Sequence, residues 1–153
     1  MGLEVGDKVP EFEAINDHGE NFKSIDIIGK KPVVIYFYPK NFTPGCTKEA
    51  CDFRDNYEEF TSLGAEVIAI SSDTIASHVK FKNRYRLPFI FLSDHKGKLR
   101  KLFGVKSELF GMLPGRETYV INKQGVVQLK FNSINATRHL KKAMAKVKEL
   151  AVM

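Results

Sequence analysis

The spacing of apolar residues changes along this chain, and each change marks the start of a different element. Residues 33–38 form an unbroken β-branched and aromatic run, which predicts a buried strand ending at Pro39. Beyond Pro39, apolar residues recur every three or four positions up to Gly64, as on the inward face of a helix. This face consists of Ala50, Phe53, Tyr57 and Phe60. The pattern therefore predicts a strand, a short loop and a helix closed by Gly64.

Further elements are predicted on both sides of this unit. A turn signal at residues 16–19 suggests a short hairpin over 12–23. Strands are expected at 65–70, 89–92, 117–121 and 126–131, helices before 87, before 104 and over 136–150, and a Gly- and Pro-marked loop at 111–115. This order predicts an α/β fold: a central mixed β-sheet flanked by helices on both faces, with an N-terminal β-hairpin. The plan resembles the thioredoxin-like fold, and we expect a single domain over residues 1–153.

Composition is that of an ordinary globular domain. With 153 residues, 27% charged and 43% hydrophobic, the chain can bury a core without disulfides. The first residues do not have the pattern of a secretory signal, and no apolar run reaches membrane-spanning length. We therefore expect a cytoplasmic protein with no membrane partner.

The net charge of +6 raises the question of a nucleic-acid partner. Basic residues concentrate at 80–101 and 138–148, where they alternate with apolar positions at helical spacing. No zinc-finger or RNA-binding signature accompanies them. These lysines and arginines are therefore interpreted as solvated helix faces, and no nucleic acid is expected to bind.

The loop after residue 38 leads to a cysteine at a reactive position. Thr43 is a candidate N-cap and Pro44 a typical first helical residue, so Cys46 falls within the first turn. Backbone N–H groups there lack carbonyl partners, and the helix dipole is positive. A thiol at this place is expected to ionise readily.

The second cysteine, Cys51, lies about 140° around the same helix from Cys46, on its polar side. In an intact helix their Cα atoms would be about 8 to 9 Å apart, beyond the roughly 7 Å that a disulfide tolerates. A bond between them therefore requires the first turns to unwind, which Gly45 makes easier. In a reducing compartment, two such cysteines are interpreted as reactive rather than structural.

The residues around Cys46 resemble a known family. Pro39, Thr43 and Cys46 match the Pro-x-x-x-Thr-x-x-Cys signature of the peroxiredoxins, and TPGCTKEACDFRD resembles their bacterioferritin-comigratory, or Q-type, subfamily. The segments SSDTIASHVKF, LPFIFLSD and GRETYVI are similar to family segments as well. The pair Asn41-Phe42 departs from the more polar pair expected at the rim of the site.

The resemblance implies roles for individual residues. Cys46 would be the peroxidatic cysteine, Cys51 the resolving one, and Arg116 the active-site arginine. In a thioredoxin-like sheet the strand after Arg116 runs antiparallel to the strand over 33–38, which brings Arg116 to the end where the Cys46 helix starts. Donors to the peroxide are expected from Arg116, from the Thr43 hydroxyl and from the N–H groups of Gly45 and Cys46. Pro39 would shield the sulfur, and Glu49 would orient an arginine.

The implied activity is that of a thiol-dependent peroxidase acting on hydrogen peroxide and alkyl hydroperoxides. Its cycle would form an intramolecular disulfide, which a thioredoxin-like dithiol then reduces. No cofactor or metal is expected, because the histidines show no paired spacing with the cysteines or with one another and are expected at the surface or as caps. They are His18, His78, His95 and His139. We expect a monomer or weak dimer.

Two other functions stay open on the same fold. A general thiol-disulfide oxidoreductase usually has two residues between its cysteines, whereas four separate Cys46 from Cys51. A non-catalytic binding module would not need Thr43, Cys46 and Arg116 together. The rate at which peroxide oxidises the reduced protein would separate these functions from the peroxidase.

Overall fold

A computed structural model of the chain describes residues 2–105, 107–108 and 113–152. Its strands are β1 (Glu13–Asn16), β2 (Asn21–Lys23), β3 (Val33–Phe37), β4 (Glu66–Ser71), β5 (Ile90–Ser93), β6 (Ser107–Glu108), β7 (Leu113–Pro114), β8 (Glu117–Ile121) and β9 (Val127–Asn132). Its helices are α1 (Pro44–Asp55), α2 (Tyr57–Ser62), α3 (Ile75–Tyr85), α4 (Lys98–Phe103) and α5 (Ala136–Ala151). Among the described helices, none is both long and apolar enough to cross a membrane.

Seven strands form one mixed sheet in the order β2-β1-β5-β4-β3-β8-β9. Strands β3, β4 and β5 are parallel, whereas β8 pairs antiparallel with β3 and with β9. The predicted N-terminal hairpin is present, and β1 joins it to the sheet by pairing with β5. Phe37 is the register partner of Glu117, so the chain just before β8 lies beside the end of β3.

Alternate residues of β3 point into two separate cores. Val34 and Tyr36 pack under α1, α2, α3 and α5, whereas Val33, Ile35 and Phe37 pack against α4 and the N-terminal segment. Helices therefore cover both faces, as predicted, but four of the five described helices lie on one face. The candidate reactive cysteine belongs to that more heavily covered face.

The helix predicted to run to Gly64 is interrupted at Asn56, so this part of the prediction is wrong. Asn56 has φ −115° and ψ 6°, and its Nδ2 donates to the carbonyl of Asp52 at 2.8 Å. A side-chain amide that binds nearby backbone competes with the helical hydrogen bonds. The apolar face nevertheless continues across the break, since the rings of Phe53 and Phe60 stack with centroids 5.8 Å apart.

The predicted loop at 111–115 lies partly outside the described residues, which exclude 111 and 112. Its described part includes β7, which pairs antiparallel with β6 in a separate two-stranded sheet. Neither of these short strands is predicted from the sequence, because each has only two residues and shows no alternation of apolar and polar positions.

Candidate active site

Helix α1 begins as the sequence predicts, with Thr43 in an extended N-cap conformation and Pro44 as first helical residue. The Thr43 hydroxyl does not cap the helix, however, but donates to the carbonyl of Lys40 at 2.8 Å. The N–H groups of Gly45 and Cys46 therefore receive no capping bond from Thr43 and have no carbonyl within the helix. Because the hydroxyl proton is already used, Thr43 Oγ1 can offer a ligand an acceptor rather than the donor that was expected.

Cys46 is buried, and its sulfur contacts a guanidinium. Nη2 of Arg116 donates to Sγ of Cys46 at 3.3 Å. This contact follows from the pairing of β8 with β3, which places Arg116 at the head of α1, as the thioredoxin-like plan predicted. Burial opposes the charge of Arg116, but its contacts with Glu49 and Cys46 outweigh burial and raise its pKa. A positive charge thus lies next to the sulfur.

Glu49 holds the other arm of the guanidinium. Nη1 of Arg116 donates to Oε1 of Glu49, whose side chain is completely buried. Burial raises the pKa of Glu49 to about 8, although Arg116 acts to lower it. The expected contact between Glu49 and an arginine is therefore present, and it fixes the plane of the guanidinium.

Gly45 leaves room for this arrangement. A Cβ atom added to Gly45 would lie 3.1 Å from Nη2 of Arg116. Such a contact is closer than van der Waals packing allows without displacement of the guanidinium. The absence of a side chain at Gly45 therefore allows Arg116 to approach Cys46.

The loop between half-buried Pro39 and Thr43 is tied to α3 through Asn41. Asn41 is buried, and its backbone N–H donates to Asp73 at 2.9 Å, while its side chain contacts Tyr38, Ser77 and His78. The polar member of the unexpected Asn41-Phe42 pair is thus a buried anchor for the loop.

Phe42 forms part of the rim and has a left-handed backbone, with φ 67°. Its ring is 48% exposed and packs edge-on against Phe81, with centroids 5.1 Å apart. A non-glycine residue in this conformation is strained, and the ring contact offsets part of that cost. The rim of the site is consequently apolar at Phe42.

Cys51 is not brought to Cys46. Both cysteines are free, and both lie in the continuous helix α1, with Cys46 buried and Cys51 partly exposed. This agrees with the prediction that the two sulfurs occupy different sides of an intact helix.

A second layer of side chains, which is not predicted from the sequence, lies behind Glu49. His139 of α5 is completely buried, and its Nδ1 lies 3.7 Å from Oε2 of Glu49. The expectation that the histidines are surface or capping groups is wrong for His78 and His139, which have no exposed surface. A signal was available, because His139 lies four positions before Ala143 and eight before Val147, on the apolar face of α5.

Comparison with known proteins gives a consistent result. Residues 5–130 match the AhpC/TSA family. The chain is 53% identical over 128 residues to the chloroplastic peroxiredoxin Q of Sedum lineare, covering 84% of this chain and 68% of that protein. It is 52% identical to the chloroplastic peroxiredoxin Q of Oryza sativa subsp. japonica, covering 84% and 58%. The chain spans about three fifths of the length of most of these plant relatives.

Solved structures show the same likeness. The peroxidoxin BcpB of Mycobacterium tuberculosis is 36% identical, with a TM-score of 0.89 over 97% of this chain and 98% of that one. The bacterioferritin comigratory protein of Xanthomonas campestris, for which alkyl peroxide reduction activity is described, is 28% identical, with a TM-score of 0.86 over 97% and 98%. The predicted thioredoxin-like fold is confirmed by this likeness.

Proposed function

Because this chain belongs to the AhpC/TSA family and is a peroxiredoxin of the Q type, we propose that it is a thiol-dependent peroxidase that reduces hydrogen peroxide and alkyl hydroperoxides. The observation that carries this proposal is the contact between the guanidinium of Arg116 and the sulfur of Cys46 at 3.3 Å. A buried sulfur beside a fixed positive charge is suited to react as a thiolate.

In the first step the Cys46 thiolate attacks the terminal oxygen of the hydroperoxide. A sulfur–oxygen bond forms while the oxygen–oxygen bond breaks, so the sulfur is oxidised to sulfenic acid and the peroxide is reduced. The leaving oxygen takes up a proton and departs as water or an alcohol. Ionisation of the thiol alone would accelerate the reaction by at most about thirtyfold. The rest of the acceleration must come from groups arranged around the peroxide.

We assign those groups from the geometry of the loop and helix start. Arg116 and the N–H groups of Gly45 and Cys46 would stabilise the charge that develops on the leaving oxygen. Thr43 Oγ1, whose proton is donated to Lys40, would accept the hydroperoxide O–H and so orient the substrate. Pro39 has no N–H and would cover the sulfur, which limits access of water.

Resolution is proposed to involve Cys51. Its thiol attacks the Cys46 sulfenic acid, a disulfide forms, and the sulfenic oxygen leaves as water. Because α1 holds the two cysteines on different sides, its first turns must open before this bond can form. A thioredoxin-like dithiol would then reduce the disulfide by exchange and become oxidised itself.

The setting of this activity also belongs to the proposal. We propose that residues 1–153 act as one domain, as a monomer or weak dimer, in the cytoplasm. The plant relatives are named as chloroplastic proteins.

The experiment is stopped-flow oxidation of the reduced protein by hydrogen peroxide and by an alkyl hydroperoxide. Cys46→Ser should abolish peroxide consumption, whereas Cys51→Ser should complete one stoichiometric oxidation and then fail to turn over with thioredoxin. Retained consumption in Cys46→Ser would refute the assignment. Rapid exchange with protein disulfides without rapid peroxide oxidation would identify a general oxidoreductase instead, and neither reaction would identify a binding module.

A further inference from the structure

Among the described residues, only one of the two carboxyl oxygens of Glu49 has a hydrogen-bond partner. Oε1 accepts from Arg116, whereas Oε2 has no hydrogen-bond partner among the described residues and is completely buried. The group facing Oε2 is Nδ1 of His139, at 3.7 Å. A buried carboxylate oxygen without a donor is unfavourable, so the protonation state of this pair requires an explanation.

The hydrogen bonds of His139 determine which nitrogen carries its proton. Nε2 lies 2.7 Å from the carbonyl of Ser133, which can only accept, so Nε2 bears the hydrogen. In the neutral ring Nδ1 is then an acceptor, and Thr118 Oγ1 donates to it at 2.7 Å. The single lone pair of Nδ1 is thus occupied by Thr118, so His139 offers no proton to Glu49 Oε2, and an ionised Oε2 would stay without a donor.

We propose that Glu49 holds a buried proton, and that His139, which engages the Thr118 hydroxyl and offers no donor to Oε2, is a positioning residue that keeps Glu49 uncharged. This leaves the charge of Arg116 to compensate the Cys46 thiolate. If Glu49 were ionised, the guanidinium would be neutralised by the carboxylate and the sulfur would lose its counter-charge. The inference rests on the proposed function of Cys46 and names what sets the charge around it.

The surrounding charges mostly favour this assignment. Burial raises the pKa of Glu49 to about 8 and lowers the pKa of His139 to about 4, so at neutral pH the proton belongs to Glu49. Asp52 disfavours a second negative charge, and Arg138 disfavours a positive His139, whereas Arg116 alone favours the carboxylate. Among the described residues, the titratable or charged groups around the pair include Tyr36 and Tyr38 at the end of β3, Cys46 and Asp52 on α1, Arg116 before β8 and Arg138 on α5.

Two substitutions test the roles of the two ring nitrogens of His139 separately. His139→Gln can keep the donor to Ser133 but removes the acceptor of the Thr118 hydroxyl, which is then free to donate to Glu49. His139→Asn can keep an acceptor near the position of Nδ1 but loses the donor to Ser133. We expect the pH profile of Cys46 alkylation, measured in the Cys51→Ser background, to move about one unit higher in His139→Gln, a tenfold change. His139→Asn should leave the profile near that of the unsubstituted protein.

Glu49→Gln supplies the decisive background, because its amide can accept from Arg116 and cannot ionise. Adding His139→Gln to Glu49→Gln should move the alkylation profile no further. A shift of the same size in both backgrounds, or no shift in His139→Gln, or equal shifts in His139→Gln and His139→Asn, would overturn the positioning role.

Infrared spectroscopy tests the proton itself. At neutral pH the protein should show the carbonyl stretch of a buried carboxylic acid, and Glu49→Gln should lack it. Absence of that band from the unsubstituted protein would overturn the proposal. Neither measurement uses a hydroperoxide, so a failed peroxidase assay and a failed proton assignment give different results.

Discussion

The guanidinium of Arg116 and the sulfur of Cys46 lie 3.3 Å apart, although 70 residues separate them along the chain. The antiparallel pairing of β8 with β3 brings them together, and Gly45 leaves the space between them. The planar group contacts Sγ through one nitrogen and Glu49 through the other. The expected effects of substitution follow from this two-armed geometry.

Replacement of Arg116 by lysine should slow the oxidation of Cys46. A lysine ammonium keeps the charge but cannot contact Glu49 and the sulfur from the two arms of one plane. Loss of one such fixed donor typically costs about 10² to 10³ in rate. Stopped-flow oxidation in the Cys51→Ser background measures this effect. Arg100→Lys serves as the control and should react normally. Arg100 lies away from the site and pairs with Asp94 at 3.5 Å.

Formation of the disulfide between Cys46 and Cys51 should open the start of α1. In an intact helix their Cα atoms are about 8 to 9 Å apart, which exceeds the roughly 7 Å limit for a disulfide. Amides of residues 47–51 should therefore lose protection from hydrogen exchange on oxidation, whereas those of α2 keep it. Cys51→Ser, treated with one equivalent of peroxide, is the control and should retain protection. Unchanged protection in the disulfide form would contradict the proposed resolving step.

Glu49 should make the stability of the protein depend on pH. Its pKa rises from 4.5 to about 8 on folding, so the folded state binds more protons than the unfolded state between these values. Stability is therefore fully present below pH 4.5 and is lost as the pH rises toward 8. Glu49→Gln cannot ionise and lacks this loss.

Urea denaturation across that window measures the difference. The free energy of unfolding of the unsubstituted protein should fall relative to that of Glu49→Gln by up to about 5 kcal/mol, at about 1.4 kcal/mol per unit. The exposed residue Glu58 offers a matched control, and Glu58→Gln should follow the unsubstituted protein. Parallel curves for Glu49→Gln and the unsubstituted protein would show that Glu49 does not bind this proton.

Replacement of Asn41 by alanine should destabilise the protein and slow oxidation. Tyr38 donates to Asn41, and Asn41 contacts Ser77 and His78 at 3.1 and 3.0 Å, so the substitution leaves buried polar groups without partners. The expected loss is about 2 to 3 kcal/mol, measured by urea denaturation. Asn21→Ala removes an exposed amide and should cost less than about 0.5 kcal/mol. An Asn41→Ala protein as stable as Asn21→Ala would show that the anchor is unimportant.

The elements around Cys46 could be predicted because their signals are local. Each signal is contained within a short stretch of the chain. These signals are the apolar run of β3, Thr43 and Pro44 at the helix start, and the three- and four-residue spacing of apolar positions beyond them. The approach of Arg116 required the strand order as well, and the resemblance supplied that order. The helix break at Asn56 could not be predicted from the apolar spacing, because it depends on a side chain that competes with the backbone hydrogen bonds.

The second layer was missed for a different reason. Whether a polar residue on an apolar helix face is buried depends on what packs against it, and Thr118, Ser133 and Glu49 all come from other elements. The same holds for Asn41, whose neighbours on α3 become visible only when α3 is placed against the loop. The sequence gives the identity and position of such residues, but their partners become known only from the three-dimensional structure.

The interruption at Asn56 also affects the timing of the proposed cycle. Helix α1 has only 12 residues, and its opening need not extend into α2, where Phe60 stays in the core. Short helices re-form in about 0.1 to 1 μs, whereas enzymes typically turn over about 1 to 10³ times per second. Winding of the helix itself should therefore occupy a negligible part of each turnover.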